Sequence, residues 1–248
     1  LQAVQQKVRF IKKDLNRSFT PENLERVLQA PSDELEAEDL ELREIYETLK
    51  KEVEIFKPKH LVFVDLHTTT AFGGIFTIPT EEQNSLDLAL SLHAPVIEGF
   101  LNGIHGTTLH FFNSNLFNIP TTAISFESGQ HDERLSINRA VAALVNCLRH
   151  VGCVKPDDVE SRHDDILREY SEGLPRFSKL VQIHRVNPED NFQMRPDYKN
   201  FMAVAEGEIL ASDRNGNIMA DRDGLILMPL YQPQGEDGFF IIEPIEGF

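Results

Sequence analysis

The chain has 248 residues, with 24 Lys+Arg against 40 Asp+Glu and a formal charge of −16. That length can bury a full core, and 41% hydrophobic content with 17 Phe excludes a disordered chain. The acidic balance argues against a nucleic-acid partner and against docking on anionic membrane, since both need clustered Lys and Arg.

Residues 1–11 (LQAVQQKVRFI) have neither the basic stretch nor the long apolar stretch of a signal peptide. The first residue is Leu1 rather than Met, as in a processed terminus or a sequence that starts inside a longer product. Residues 21–30 read as a helix with Thr20 as N-cap and Pro21 at the first helical position. Residues 33–56 read as a long amphipathic helix, with Leu35, Leu42, Ile45, Leu49, Val53 and Phe56 at helical spacing, ended by Pro58. The acids on it read as a solvated face.

Residues 60–66 (HLVFVDL) form a short apolar run, as in a strand buried on both faces. A second strand is expected over 74–79, a helix over 82–93, a β-branched strand over 120–127 and a helix over 131–151. This alternation implies an α/β domain with a mixed, mainly parallel sheet flanked by helices. Cys147 and Cys153 have no zinc-ligand spacing and read as free thiols of a reducing cytoplasm. A polar helix over 156–170 then leads to strand-like runs at 177–186, 201–211, 224–230 and 238–242, with Asn215-Gly216 as a hairpin signal. The expected organisation is an α/β domain over 1–155, a linking helix over 156–175 and a small β-rich C-terminal domain over 176–248. No apolar run approaches the ~20 residues of a membrane-spanning helix.

Three groups of residues could carry chemistry. Asp65-Leu66-His67 stands at the carboxyl end of a strand, where open α/β sheets bind ligands. His67 can present one nitrogen to a metal while the neighbouring carboxylate orients the ring. Glu127 ends the strand over 120–126, before Ser128-Gly129-Gln130, and a partly desolvated Glu can act as a general base. Arg9 and Asp14-Leu15-Asn16-Arg17 offer bidentate donors for a carboxylate or a developing oxyanion. Taken singly, each has an ordinary structural explanation: a satisfied loop histidine, a capping or salt-bridged Glu, and surface ion pairing. The His in Ile104-His105-Gly106-Thr107 has no Glu at metal-ligand spacing. The stretch 213–223 (DRNGNIMADRD) lacks the acid spacing of an EF-hand and reads as a hairpin. No phosphate loop, dinucleotide fingerprint or nucleophile elbow is present.

In order along the chain, these groups resemble the aspartoacylase/succinylglutamate desuccinylase family, which is related to zinc carboxypeptidases. The matching blocks are Arg9 with Asp14-Leu15-Asn16-Arg17-Ser18-Phe19, Asp65-Leu66-His67-Thr68-Thr69, and Phe126-Glu127-Ser128-Gly129-Gln130. The resemblance implies zinc-dependent hydrolysis of the amide bond of an N-acyl amino acid or a related carboxylate-bearing amide. It assigns His67 as a zinc ligand and Glu127 as general base and then acid. Arg9 would polarise the scissile carbonyl, and Asn16 and Arg17 would hold the substrate carboxylate.

The family draws its other two zinc ligands, a His and a Glu, from a motif upstream of the Arg9 block. Residues 1–8 contain no such motif, so the expectation places those ligands before Leu1. Where aspartoacylases carry a second carboxylate-binding arginine, this chain has Phe117, which favours a less charged or bulkier substrate. Two other readings stay open: a metal-free binding protein that keeps the carboxylate pocket, and a peptide-trimming carboxypeptidase. Self-association and the acyl group are not legible.

Overall fold

The computed structural model describes residues 2–6 and 8–247, with the side chain of Val4 left out. Leu1, on which the expectation of an upstream motif turns, lies outside the described residues. The helices are α1 (Gln2–Gln6), α2 (Pro21–Gln29), α3 (Ala37–Phe56), α4 (Gln83–Ser91), α5 (Thr108–Phe111), α6 (Ser114–Phe117), α7 (Leu135–His150) and α8 (Arg162–Ser171). The strands are β1 (Leu61–Thr69), β2 (Phe76–Pro79), β3 (Val96–Glu98), β4 (Thr121–Gln130), β5 (Phe177–Arg185), β6 (Gln193–Met194), β7 (Met202–Val204), β8 (Ile209–Asp213), β9 (Gly216–Met219), β10 (Gly224–Leu227) and β11 (Asp237–Pro244). The chain divides into two compact units, one of residues 1–63 and 101–123, the other of residues 64–100 and 124–248.

In the first unit, Thr20 caps α2 as expected, its side chain accepting from the Asn23 amide at 3.2 Å, with Pro21 at the first position. The helix expected over 33–56 starts later, at Ala37. A short 3-10 turn over Ser32–Glu34 intervenes, and α3 begins in a reciprocal box between Glu36 and Asp39. α3 ends where Lys57 turns left-handed at φ 45°, just before Pro58. Leu24, Val27 and Leu42 pack with Phe19, Phe111 and Phe112 as this unit's core. The Phe19 ring lies 5.8 Å from each of the two other phenylalanines.

The acidic start of α3 departs from the solvated face expected of it. Asp39 is only 2% exposed. Its carboxylate accepts from Lys13 Nζ at 2.5 Å and from Arg26 at 2.5 and 3.2 Å. Beside it, Glu38 accepts from the amides of Ile11 and Lys12 at 2.9 and 3.2 Å. The first turn of α3 therefore grips the segment that leads into Asp14-Leu15-Asn16-Arg17. Burial pushes the Asp39 carboxyl upward, but the hydrogen bonds from Arg26 and Lys13 outweigh it and hold the group at about 2 against an ordinary 3.8.

The folded state thus binds that proton more weakly than the unfolded chain. Its contribution is complete above pH ~4 and is lost as pH falls towards ~2. The shift corresponds to about 2 kcal/mol, trimmed by the half-exposed lysine and arginine to roughly 1–2 kcal/mol. Asp39→Asn is therefore expected to be less stable than wild type in urea at pH 6, with the gap closing between pH 4 and pH 2. A gap that stays constant across that range contradicts the assignment.

The large sheet has the strand order β1-β4-β2-β3-β5-β11-β10-β7. β2 with β3 and β3 with β5 are parallel. Bonds from Leu61 N to Pro120 O and from His131 N to Thr69 O set β1 parallel to β4. β2 runs antiparallel to β4, and β5, β11, β10 and β7 close the sheet with antiparallel pairs. The fold is therefore the expected mixed α/β sheet flanked by helices, with a small antiparallel sheet, β6-β8-β9, beside it. Residues Leu88 and Leu92 of the α4 region, Ala142, Ala143 and Cys147 of α7 and Leu167 of α8 meet Ile75, Val96, Ile124 and Phe126 in the second unit's core.

Three expectations need adjustment. The apolar run over 60–66 is not buried on both faces: β1 stands first in the strand order, and Val62 and Leu66 are 40% and 41% exposed. The single strand expected over 201–211 is two, β7 and β8. Glu206-Gly207 turns the chain between them, with Gly207 at φ 78°. The strands β5, β7, β10 and β11 extend the large sheet rather than making one of their own. The Asn215-Gly216 signal does give a hairpin, with Asp213 paired to Gly216. Cys147 and Cys153 are both free thiols, the first buried and pushed up to about 12, the second exposed. No described helix is long and apolar enough to cross a membrane.

Candidate active site

In the first unit, the Asn16-Arg17 block is a single 3-10 turn, Leu15–Arg17, capped by Asp14, whose carboxylate accepts from the Asn16 amide at 3.0 Å. The same carboxylate takes Arg9 Nε at 2.7 Å, so Arg9 is tied to the turn through Asp14. Asn16 Oδ1 accepts from the Thr108 amide at 3.3 Å, at the start of α5. Arg17 Nη1 donates to the Asn16 carbonyl at 2.7 Å. Gly106 packs on this turn, its carbonyl accepting from Phe19 N at 3.0 Å. Three sequence-derived residues, Arg9, Asn16 and Arg17, thus share one small network.

Phe117 stacks on Tyr46 with centroids 6.0 Å apart. It lines an apolar cavity of about 80 Å³ with Leu49, Val53, Phe63 and Phe112.

In the second unit, Asp65 and His67 are two residues apart on β1 and therefore on one face of the strand. His67 Nε2 lies 2.8 Å from Asp65 Oδ2. A ring that donates Nε2–H to a carboxylate carries its lone pair on Nδ1, the arrangement that fixes tautomer and orientation in metal-binding histidines. Glu127 is 5% exposed on β4, in register with Phe76 of β2. Ser128 joins the two groups, its Oγ donating to the His67 carbonyl at 2.9 Å. The turn after β4 is fastened to β1 again by His131, whose amide bonds to the Thr69 carbonyl at 3.0 Å and whose Nδ1 lies 2.7 Å from Thr68 Oγ1.

A catalytic zinc takes about three protein ligands. Among the described residues no group of three or more His, Cys, Asp or Glu is arranged to hold a metal. His67, with Asp65 behind it, fits the role of one ligand, and the described residues do not complete the set.

The model of the succinylglutamate desuccinylase/aspartoacylase catalytic domain matches residues 1–151. The chain belongs to this family. Among solved structures, succinylglutamate desuccinylase from Vibrio parahaemolyticus is similar over 99% of this chain and 69% of its own, with 16% identity and a TM-score of 0.59. A succinylglutamate desuccinylase/aspartoacylase from Rhodobacter sphaeroides is similar over 99% and 73%, with 15% identity and a TM-score of 0.61. Murine aminoacylase 3 is similar over 98% and 81%, with 17% identity and a TM-score of 0.52. At these identities the structures establish the fold. No curated protein sequence matches the chain significantly.

Beside the family's blocks stand residues that sequence reasoning passed over. Gly106, next to a histidine that has no metal-ligand pattern, packs directly on Arg17. His110 bonds Thr107 Oγ1 at 2.8 Å and the Leu101 carbonyl at 3.1 Å. Burial holds its pKa below the ordinary value against the pull of the Leu101 bond, and the charges of His105 and Arg17 add to the lowering. Ser128, to which the resemblance gives no role of its own, ties the strand end at Glu127 to the His67 carbonyl.

Proposed function

We propose that the chain catalyses hydrolysis of the amide bond of an N-acyl amino acid or a related carboxylate-bearing amide. Glu127 is the general base that takes a proton from the attacking water and then returns it to the leaving amine. Arg9 stabilises the developing oxyanion, and Asn16 with Arg17 holds the substrate carboxylate. His67 is a metal ligand of a zinc-dependent enzyme. A bound zinc would act as Lewis acid. Residues 1–155 carry this hydrolase chemistry, a division supported by the family match over 1–151. The two free thiols favour a cytoplasmic location.

The observation that supports this reading most is the bond from Ser128 Oγ, on the residue after the buried Glu127, to the His67 carbonyl. Two residues that the sequence offers separately are thereby held together. Apolar surroundings of Phe117 favour a neutral or bulky acyl group over a dianion.

The test is turnover of a panel of N-acetyl, N-benzoyl and N-succinyl amino acids, alongside blocked dipeptides, with and without added Zn²⁺. Binding without turnover would leave a carboxylate-binding protein, and preference for the dipeptides would make it a carboxypeptidase. Arg17→Ala is expected to raise KM by about tenfold or more with a smaller loss in kcat, as for a group that holds substrate equally in ground and transition states. The reverse pattern would move Arg17 into transition-state stabilisation.

A further inference from the structure

We propose that Arg139 and Glu133 are positioning residues for Glu127, gripping the turn that follows it. The inference rests on the general-base reading of Glu127. Arg139 of α7 is 2% exposed, an unusual place for a guanidinium on a helix that otherwise buries Ala142, Ala143 and Cys147. A buried charge is costly unless it is paired, and an apolar side chain of like volume is commonly no worse. This one is held at three points, while its buried Nε finds no hydrogen-bond acceptor among the described residues. Its Nη1 donates to the Ser128 carbonyl at 3.0 Å. Its Nη2 pairs with the Glu133 carboxylate. Its Cζ lies 3.9 Å from the centre of the Tyr170 ring.

Glu133 grips the other side of the turn, Oε2 accepting from the Gln130 amide at 3.4 Å. Gly129 lies between these two bonds at φ 119°. A Cβ there would fall 2.2 Å from Arg139 Nη1 and 2.9 Å from Glu133 Oε2. The ion pair therefore fills the volume that a side chain would take and sets the path of residues 128–130. Ser128, held from behind by Arg139, reaches His67 through its Oγ. This ion pair thereby fixes the backbone that follows Glu127 and that Ser128 ties to His67, without touching substrate.

The experiment compares wild type, Glu133→Gln, Arg139→Lys and Arg139→Met in kinetics on the best substrate of the panel and in amide hydrogen exchange. Glu133 is 29% exposed, so Glu133→Gln keeps the fold even if Arg139→Met does not. The expected result is a fall in kcat of about 10-fold to 100-fold with KM within about twofold, since a small misplacement of a base acts on chemistry rather than on binding. Arg139→Lys recovers part of the loss seen in Arg139→Met. Exchange over residues 128–131 speeds up while β5 and β11 stay protected. Wild-type kcat and wild-type exchange in a folded Glu133→Gln overturn the proposal. Wild-type protein inert towards the whole panel overturns the general-base reading instead, and exchange over 128–131 then decides the clamp alone.

Discussion

Glu127→Gln is expected to lower kcat by about 10²–10⁴-fold, the usual worth of a positioned acid or base, with little change in KM. The substitution is close to isosteric and keeps a carbonyl acceptor, so it removes the proton-accepting power and little else. The strand around it argues for a clean readout. Thr77 pairs with Phe126 and Phe76 with Glu127, both in a fully buried stretch, so β4 has no room to slip register. Replacing a buried carboxylate by a neutral amide also lightens the cost of desolvation, so thermal stability should be unchanged or slightly raised. The measurement is kcat and KM on the best amide substrate beside a thermal melt. A folded Glu127→Gln with wild-type kcat would place the base elsewhere, and a variant that melts early would mean that Glu127 is structural first.

Why Glu127 was legible in the sequence, and its supports were not, follows from the range of the interactions. Apolar alternation, proline punctuation and the order of the three blocks are local, and they locate β1, β4, α2 and the Asn16-Arg17 turn to within a few residues. The Asp65–His67 contact is also local, since residues two apart on a strand share a face. The Arg139–Ser128 bond spans eleven positions and a change from strand to helix. Nothing in the spacing of Arg139 separates it from the other arginines of the chain.

The acids of α3 show the same limit. Helical periodicity assigns Glu38 and Asp39 to a polar face, which is correct for the helix alone. Asp39 is buried and Glu38 half-buried because Ile11, Lys12, Lys13 and Arg26 come back over that face. The run over 60–66 erred in the opposite sense: hydrophobicity reports what a strand would bury, and its place at the end of the strand order determines what it does bury.

Gly106→Ala is expected to be the most disruptive small substitution in the first unit. The residue lies at φ 68°, and an added Cβ would sit 2.2 Å from the Arg17 carbonyl oxygen and 2.6 Å from its carbon. Both are backbone atoms, so no side-chain rotation relieves the clash. The left-handed backbone adds about 1–2 kcal/mol for any residue with a Cβ. Either Gly106 or the Arg17 turn has to move by about an ångström, which breaks the bond between Phe19 N and the Gly106 carbonyl. Phe19 is itself packed on Phe111 and Phe112, so the displacement reaches the unit's core. The expected loss is about 2–4 kcal/mol in urea denaturation. At temperatures where the variant stays folded, KM should rise at least as much as in Arg17→Ala, because the whole turn shifts rather than one side chain. Combining the two substitutions should then raise KM little beyond Gly106→Ala alone, since residues that share one contact do not act additively. Additive effects on KM would show that Gly106 serves the core and not the Arg17 turn.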